Sequence, residues 1–257
     1  MEPILEGQKR EFTVPSGYKY TIREQNGADD DILSNQVDAM ELKNLSRFIA
    51  AIVVDTDYTA NRKLTLEQAH NLPALDKYCI LFNSRIFSLG DTVEFEYDWG
   101  EQGGRVSYEQ DVNEFLFDYA EDPTEEELEA KPFAIPYYPL GKQLKDIEFT
   151  TSSGKQVKFD LLTTKGEAYI LNLPKEEQTK NKELIARNLH MLVNNKWEKV
   201  KSFHLFSVKD MKEIRTKVLE SDPIFNGITE LTNPHNPDMK TIINIAGIKD
   251  FFYPGEI

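Results

Sequence analysis

The sequence predicts an α+β fold built from two diverged copies of one module, a β-hairpin followed by helices, and three observations carry that expectation. Ser16-Gly17 and Ser153-Gly154 each follow a short strand-like run and offer a glycine for a tight turn. Apolar residues at helical spacing come after each turn. Matching landmarks then recur at a near-constant offset: Gly17 to Gly154 is 137, Arg47 to Arg187 is 140, and Asp76 to Asp210 is 134. A shared order at a shared spacing is the mark of a repeated structural unit. The expected organisation is a first module over 1–120, an acidic and Pro-containing linker over 121–145, and a second module over 146–257.

Each element has a local reason. Phe12-Thr13-Val14 enters the turn at Pro15-Ser16-Gly17, and Tyr18, Tyr20 and Ile22 alternate with polar residues beyond it, the period of a half-buried strand. Asp29-Asp30-Asp31 stands where a helix N-terminus favours acids. Leu42, Leu45, Phe48, Ile49, Ile52 and Val53 share a helical face. Thr65-Leu66-Glu67-Gln68 is a capping box. Leu75–Leu89 reads as a strongly apolar helix closed by Gly90, and Thr92 to Tyr97 returns to strand alternation. In the second half, Phe149 to Gly154 ends in another Ser-Gly turn, and Val157 and Phe159 begin the return strand. Gly166-Glu167 precedes a short helix that stops before Pro174. Leu184, Ile185, Leu189, Leu192 and Val193 mark a longer helix, and Ser207 with Asp210 opens another that runs to Glu220.

Composition narrows the function. The 257 residues include 40% hydrophobic side chains, enough for a real core. The formal net charge is −14, from 44 acidic and 30 basic residues. Phosphate-backbone and anionic-membrane binding need the opposite balance, so neither nucleic acid nor membrane is an expected partner. The one cysteine, Cys79, allows no intramolecular disulfide and suits a reducing compartment. The N-terminus lacks the pattern of a signal peptide, and the longest apolar run, Phe48 to Val54, is far short of a membrane span.

Few residues look catalytic. The phosphate-cradling Gly-rich loops and the Gly-x-Ser-x-Gly elbow are missing from the sequence. Gly103-Gly104 reads as a hairpin loop. None of His70, His190, His204 and His235 pairs with another at i+4; His190 reads as a structural residue beside a helix face, and His235 as part of a turn-rich loop. Cys79 lies in an apolar run and reads as a buried, inert thiol. Asp29-Asp30-Asp31 reads as capping acids, with a metal-dependent hydrolase site as the competing use. No cofactor and no catalytic residue is assigned. Two segments stay open between scaffold and partner contact. The stretch 118–131, with Glu125, Glu126 and Glu127, is either a solvated helix or an acidic arm for a basic partner. The ending Phe251-Phe252-Tyr253 either anchors the tail on its own domain or docks on another protein. Trp99 joins these as a candidate partner contact.

Assembled, several of these segments resemble the tailed-phage baseplate hub and tail-assembly proteins. Phe12 to Gly17 with Tyr20-Thr21-Ile22-Arg23 is similar to their opening strand pair. Asp76 to Gly90 looks like their Arg-containing helix with a Ser-x-Gly stop, and Asp250 to Pro254 resembles their aromatic-proline close. Where some such proteins have cysteine pairs, this chain has Tyr97-Asp98-Trp99-Gly100 and Asn233 to Asp238, so no zinc knuckle is carried over. The resemblance implies a non-enzymatic factor in tail or baseplate hub assembly. It would bind tape-measure, hub or tube proteins in the infected bacterial cytoplasm, either transiently as a chaperone or as a component retained in the virion.

Overall fold

The computed structural model describes residues 8–40, 43–101, 103–245 and 251. The fold is α+β, with helices set against four small antiparallel sheets. The first half opens with β1 (Lys9–Thr13) and β2 (Lys19–Arg23), followed by α1 (Gly27–Leu33), α2 (Gln36–Ala39) and α3 (Lys43–Ile52). Strand β3 (Val53–Thr56) returns to pair with β2, giving a sheet of order β1-β2-β3. Next come α4 (Leu66–His70), the long α5 (Ala74–Leu89) and a second hairpin, β4 (Thr92–Asp98) with β5 (Arg105–Asp111). A one-turn 3-10 helix (Val112–Phe115) and α6 (Glu125–Ala130) lead into the second half. That half has β6 (Ile147–Thr150), β7 (Gln156–Phe159), α7 (Thr164–Leu171), α8 (Lys180–Ala186), β8 (His190–Val193), β9 (Lys196–Lys199), α9 (Val208–Ser221), β10 (Ile228–Asn233) and β11 (Asn236–Asn244). Its main sheet has the order β6-β7-β8-β9.

Both halves open with a hairpin, but their later elements differ: α1, α2, α3, β3, α4 and α5 in the first against α7, α8, β8, β9 and α9 in the second, with a three-stranded sheet against a four-stranded one, so the likeness is confined to the opening turns and the helix residues that hold them. The two opening turns are built alike. Val14 N–H donates to Tyr18 O and Gly17 N–H to Val14 O, at 2.9 and 2.7 Å. Thr151 N–H to Lys155 O and Gly154 N–H to Thr151 O repeat this at 2.9 and 2.8 Å. Gly17 and Gly154 sit at φ 81° and 84°, a region that strains any side chain. Each turn is held by the third residue of the long helix that follows. The Ser16 hydroxyl and N–H donate to Asp76 at 2.6 and 3.1 Å, and the Ser153 hydroxyl donates to Asp210 at 2.6 Å.

Two helices are shorter than their apolar spacing predicts. The face expected to continue to Val53 ends at Ile52, and Val53 starts β3; Leu42 lies outside the described residues. The helix expected through Val193 stops at Ala186. Asn188 adopts φ 56°, which a helix cannot continue through, and His190–Val193 is a strand. Asn194 and Asn195, at φ 48° and 60°, then make the two-residue turn into β9. His190 is thus a strand residue, its ring 2.6 Å from Asn188 O. Gly166 lies inside the first turn of α7, where a Cβ would approach Leu162 Cδ1 to 2.9 Å.

Helix α5 is the centre of the molecule. From Ala74 to Arg85 only Tyr78 keeps partial exposure. A helix buried all round needs partners on every side, and α5 has them. Cys79 and the fully buried Asp76 face the first hairpin. Phe82 packs on Phe115, Phe225 and Phe251, with ring centroids 5.5, 5.7 and 4.9 Å apart. At its start, Ala74 N–H donates to Leu162 O and Thr164 N–H to Leu72 O, at 2.8 and 3.0 Å, a short antiparallel bridge between the halves. Lys77, 2% exposed, pairs with Glu167 of α7. Arg85 donates to the carbonyls of Gly90 and Thr92, tying the helix end to β4. A second buried pair, Arg187 with Asp222, closes the other half, where Asp222 also accepts from Leu162 N–H at 2.7 Å.

The two turn-holding carboxylates differ in charge environment. Asp210 has Lys155 at 2.7 Å, and that hydrogen bond, with those of Ser153 and Ser207, holds it well below the usual carboxylate range. Burial instead pushes Asp76 up to about 7, against the two Ser16 hydrogen bonds. A carboxyl whose pKa is higher folded than unfolded binds more protons in the native state between the two values. Stability from this group therefore falls as pH rises from about 4 through 7. Asp76→Asn is expected to flatten that slope, by at most about 1.4 kcal/mol per pH unit, in urea unfolding measured at pH 5 and pH 8. An unchanged pH profile would contradict it. Lys77→Met strands the Glu167 carboxylate and is expected to cost about 3 kcal/mol. The double variant Lys77→Met with Glu167→Leu should recover most of that loss, and equal losses in both would show that the pair does not couple the halves.

Candidate functional site

The net negative charge comes from one stretch of the chain. Residues 91–130 hold 15 of the 44 acidic residues and one of the 30 basic ones. The remaining 29 acidic and 29 basic residues cancel, so this stretch accounts for the whole net charge of −14. It comprises the β4–β5 hairpin, the 3-10 turn and α6.

On the hairpin, strand alternation puts Val93, Phe95, Tyr97, Val106, Tyr108 and Gln110 on one face and Glu94, Glu96, Asp98, Arg105 and Glu109 on the other. The first face leans on β10–β11. Tyr108 donates to Thr232 O at 3.0 Å, and Thr229 donates to Gln110 at 3.1 Å. The second face is exposed. There Glu94 stands directly opposite Glu109, a like-charge pair that costs roughly 0.2–1 kcal/mol. Its only cation is Arg105, 3.6 Å from Asp98 and 4.0 Å from Glu96.

The acidic arm folds back on the hairpin's exit. Thr124 and Glu127 form a capping box for α6, and the acids of its first turn complement the helix dipole. Lys131 then donates to Asn113 O and Leu116 O at 3.0 and 2.7 Å, pinning the helix end to the 3-10 turn. The extended chain beyond is sewn down by tyrosines. Tyr119 donates to Ile135 O at 2.6 Å and Tyr137 to Asp118 O at 3.0 Å, and Tyr138 accepts from Leu75 N–H at 3.0 Å. Ile135 and Tyr138 are buried, so the Pro-containing part of the predicted linker belongs to the core.

Between α6 and this extended run lies an open groove of about 410 Å³, lined by Phe117, Leu128, Pro132, Pro136, Tyr137 and Pro139 among others. Phe117 and Tyr137 of its lining belong to an aromatic cluster: Tyr137 packs 5.4 Å from Phe117 and 4.8 Å from Tyr119, centroid to centroid. Leu128 is 47% exposed at its edge. Asp122 and Lys131 line the groove as well, and Asp118, Glu125 and Glu126 are exposed on the same stretch of chain. Burial first, then the charges of Glu127, Asp118 and Asp122, push the Tyr137 phenol up to about 12.

The residues singled out in the sequence divide accordingly. Glu125, Glu126 and Glu127 are exposed beside the groove, with Glu127 engaged as the cap of α6. Trp99 is half-buried at the hairpin's end. Its indole N–H donates to Tyr108 at 2.9 Å, its ring packs on Tyr97, and a Cβ on Gly103 would come within 2.4 Å of its own Cβ. Phe251 is fully buried against Phe82, so its ring anchors the chain's end in its own core and offers no surface to a partner. Phe252 and Tyr253 lie outside the described residues. Asp29 is committed to the α1 capping box and to Arg23, at 2.7 and 2.8 Å. Cys79 is buried, its thiol pushed up by burial and then by Asp76. His235 sits in the β10–β11 turn, where Asn233 accepts from its N–H. His70 is buried, 2.9 Å from the Ser46 hydroxyl. Among the described residues no cluster of three metal-ligating side chains occurs and no helix is long and apolar enough to cross a membrane.

Phe117, Leu128 and Tyr137 were not singled out by the sequence. A charge count by segment would have marked the region, because the imbalance of 91–130 is visible in the letters. The groove itself depends on the tyrosine contacts that press 132–139 against 115–119. Compared with protein-family models, curated proteins and solved structures, the chain matches none.

Proposed function

We propose that this chain is a non-enzymatic protein-binding factor in the assembly of a phage tail or baseplate hub, acting in the infected bacterial cytoplasm, and that residues 91–139 are its working surface. The observation that carries the binding role is the concentration of the entire net charge in residues 91–130, whose acids are all exposed. The fold keeps Glu94 opposite Glu109 there at a cost in stability, which suits a surface retained for recognition. Charge complementarity of this kind steers encounter and selects partners. The motifs shared with tail-assembly proteins direct the proposal to tape-measure, hub or tube components. The matching turn geometry of the two halves supports descent from a duplicated module, with the acidic segment as an elaboration of the first copy.

Tagged full-length protein expressed with the tail genes of its own genome should co-purify with one of the hub, tube or tape-measure proteins. Capture should weaken when Glu94, Glu96 and Glu109 are changed together to glutamine. Recovery of none of these proteins would sink the tail-assembly role, and capture indifferent to the triple change would remove the acidic face from it.

A further inference from the structure

The acidic arm and the groove beside it combine two recognition elements. The groove is apolar, aromatic and lined with prolines, and it is open along its length between α6 and the extended chain. Proline and tyrosine surfaces of this kind take up flat or ring-shaped apolar side chains of an extended peptide, which presents them without a large ordering cost. Asp122 lines the groove, and Asp118, Glu121, Glu125, Glu126 and Glu129 are exposed on the same stretch of chain that supplies Asp122, Pro123 and Leu128 to it. Lys131 also lines the groove, with its ammonium hydrogen-bonded to the carbonyls of Asn113 and Leu116 and its charge offsetting Glu127, so the acids of this stretch outnumber the cation beside them. An acidic or neutral segment would meet uncompensated carboxylates. The chain's own first residues, Met1 to Gly7, carry two glutamates and no basic side chain, so they do not suit the groove.

We infer that the groove of Phe117, Leu128, Pro136 and Tyr137 docks an extended basic segment of a partner protein, a proline or aliphatic side chain entering the groove while flanking arginines or lysines meet the acids of α6 and the loop before it. This rests on the protein-binding role proposed above but not on the phage assignment. Both components are required. The acids supply attraction at a distance, which salt screens, and the groove supplies the apolar contact that fixes position.

A fluorescein-labelled synthetic peptide alternating arginine with proline is the probe, titrated by anisotropy into the full-length protein. Binding should weaken about tenfold with Leu128→Ser, which alters an exposed edge residue. It should weaken similarly with Glu125→Gln combined with Glu126→Gln, and more steeply as salt rises. Unchanged thermal midpoints would show that each variant is folded, and Leu171→Ser, exposed on α7 away from the groove, should bind as the wild type does. A peptide with glutamate in place of arginine should not bind. Failure of the arginine-proline peptide to bind, or binding indifferent to Leu128→Ser, would overturn the inference. So would concentration-dependent self-association abolished by Leu128→Ser, because the groove's occupant would then be a second copy. Peptide binding together with empty tail-protein capture would sink the phage assignment and leave the groove standing.

Discussion

A helix with no solvent-facing side constrains everything else in this fold. Because α5 is covered along nearly its whole length, its polar side chains find their partners inside the protein, with Arg85 Nε as an exception, and those partners dictate the arrangement of the rest. Asp76 grips the turn of the first hairpin. Lys77 reaches across to Glu167 and joins the halves. Arg85 holds the start of the second hairpin through two carbonyls. Desolvation is costly for each of these groups, so a rearrangement that breaks one contact would leave a buried charge or donor stranded. The scaffold is therefore specified by polar contacts as much as by packing.

That rigidity is what positions the acidic surface. Arg85 fixes where β4 begins, strand alternation then sends its acids outward, and β10–β11 props the opposite face through Tyr108 and Gln110. The arm that follows is short of internal structure, since α6 has only six residues. It is held by Lys131 from one side and by the tyrosines from the other. Tyr138 connects this arm directly to the first residues of α5, so the groove and the central helix form one continuous structure.

Much of the frame was legible in the sequence. Capping boxes at Thr65 and Ser207 mark helix starts through local hydrogen bonds that need no tertiary context, and Ser-Gly turns mark hairpins because only glycine takes the required φ readily. The misread segment is instructive. Leu184, Ile185, Leu189, Leu192 and Val193 satisfy helical spacing, yet Asn188 in the left-handed region divides them into a helix and a strand. Periodicity alone does not register such a break, and Asn-Asn at 194–195 was the available turn signal. Phe251 shows another limit: the sequence left it open between an anchor on its own domain and a partner contact, because its packing partner, Phe82, lies far away along the chain. The groove was invisible for the same reason, since its walls come from residues brought together by hydrogen bonds between 115–119 and 135–138.

The claim on which the functional account turns is that residues 113–139 form the contact surface for a basic, extended partner segment. Hydrogen–deuterium exchange of the full-length protein, with and without the arginine-proline peptide, tests this by location. Protection confined to the 3-10 turn, α6 and the extended run to Pro139 is the predicted result. Protection centred on the second half, or no change anywhere at saturating peptide, would contradict it.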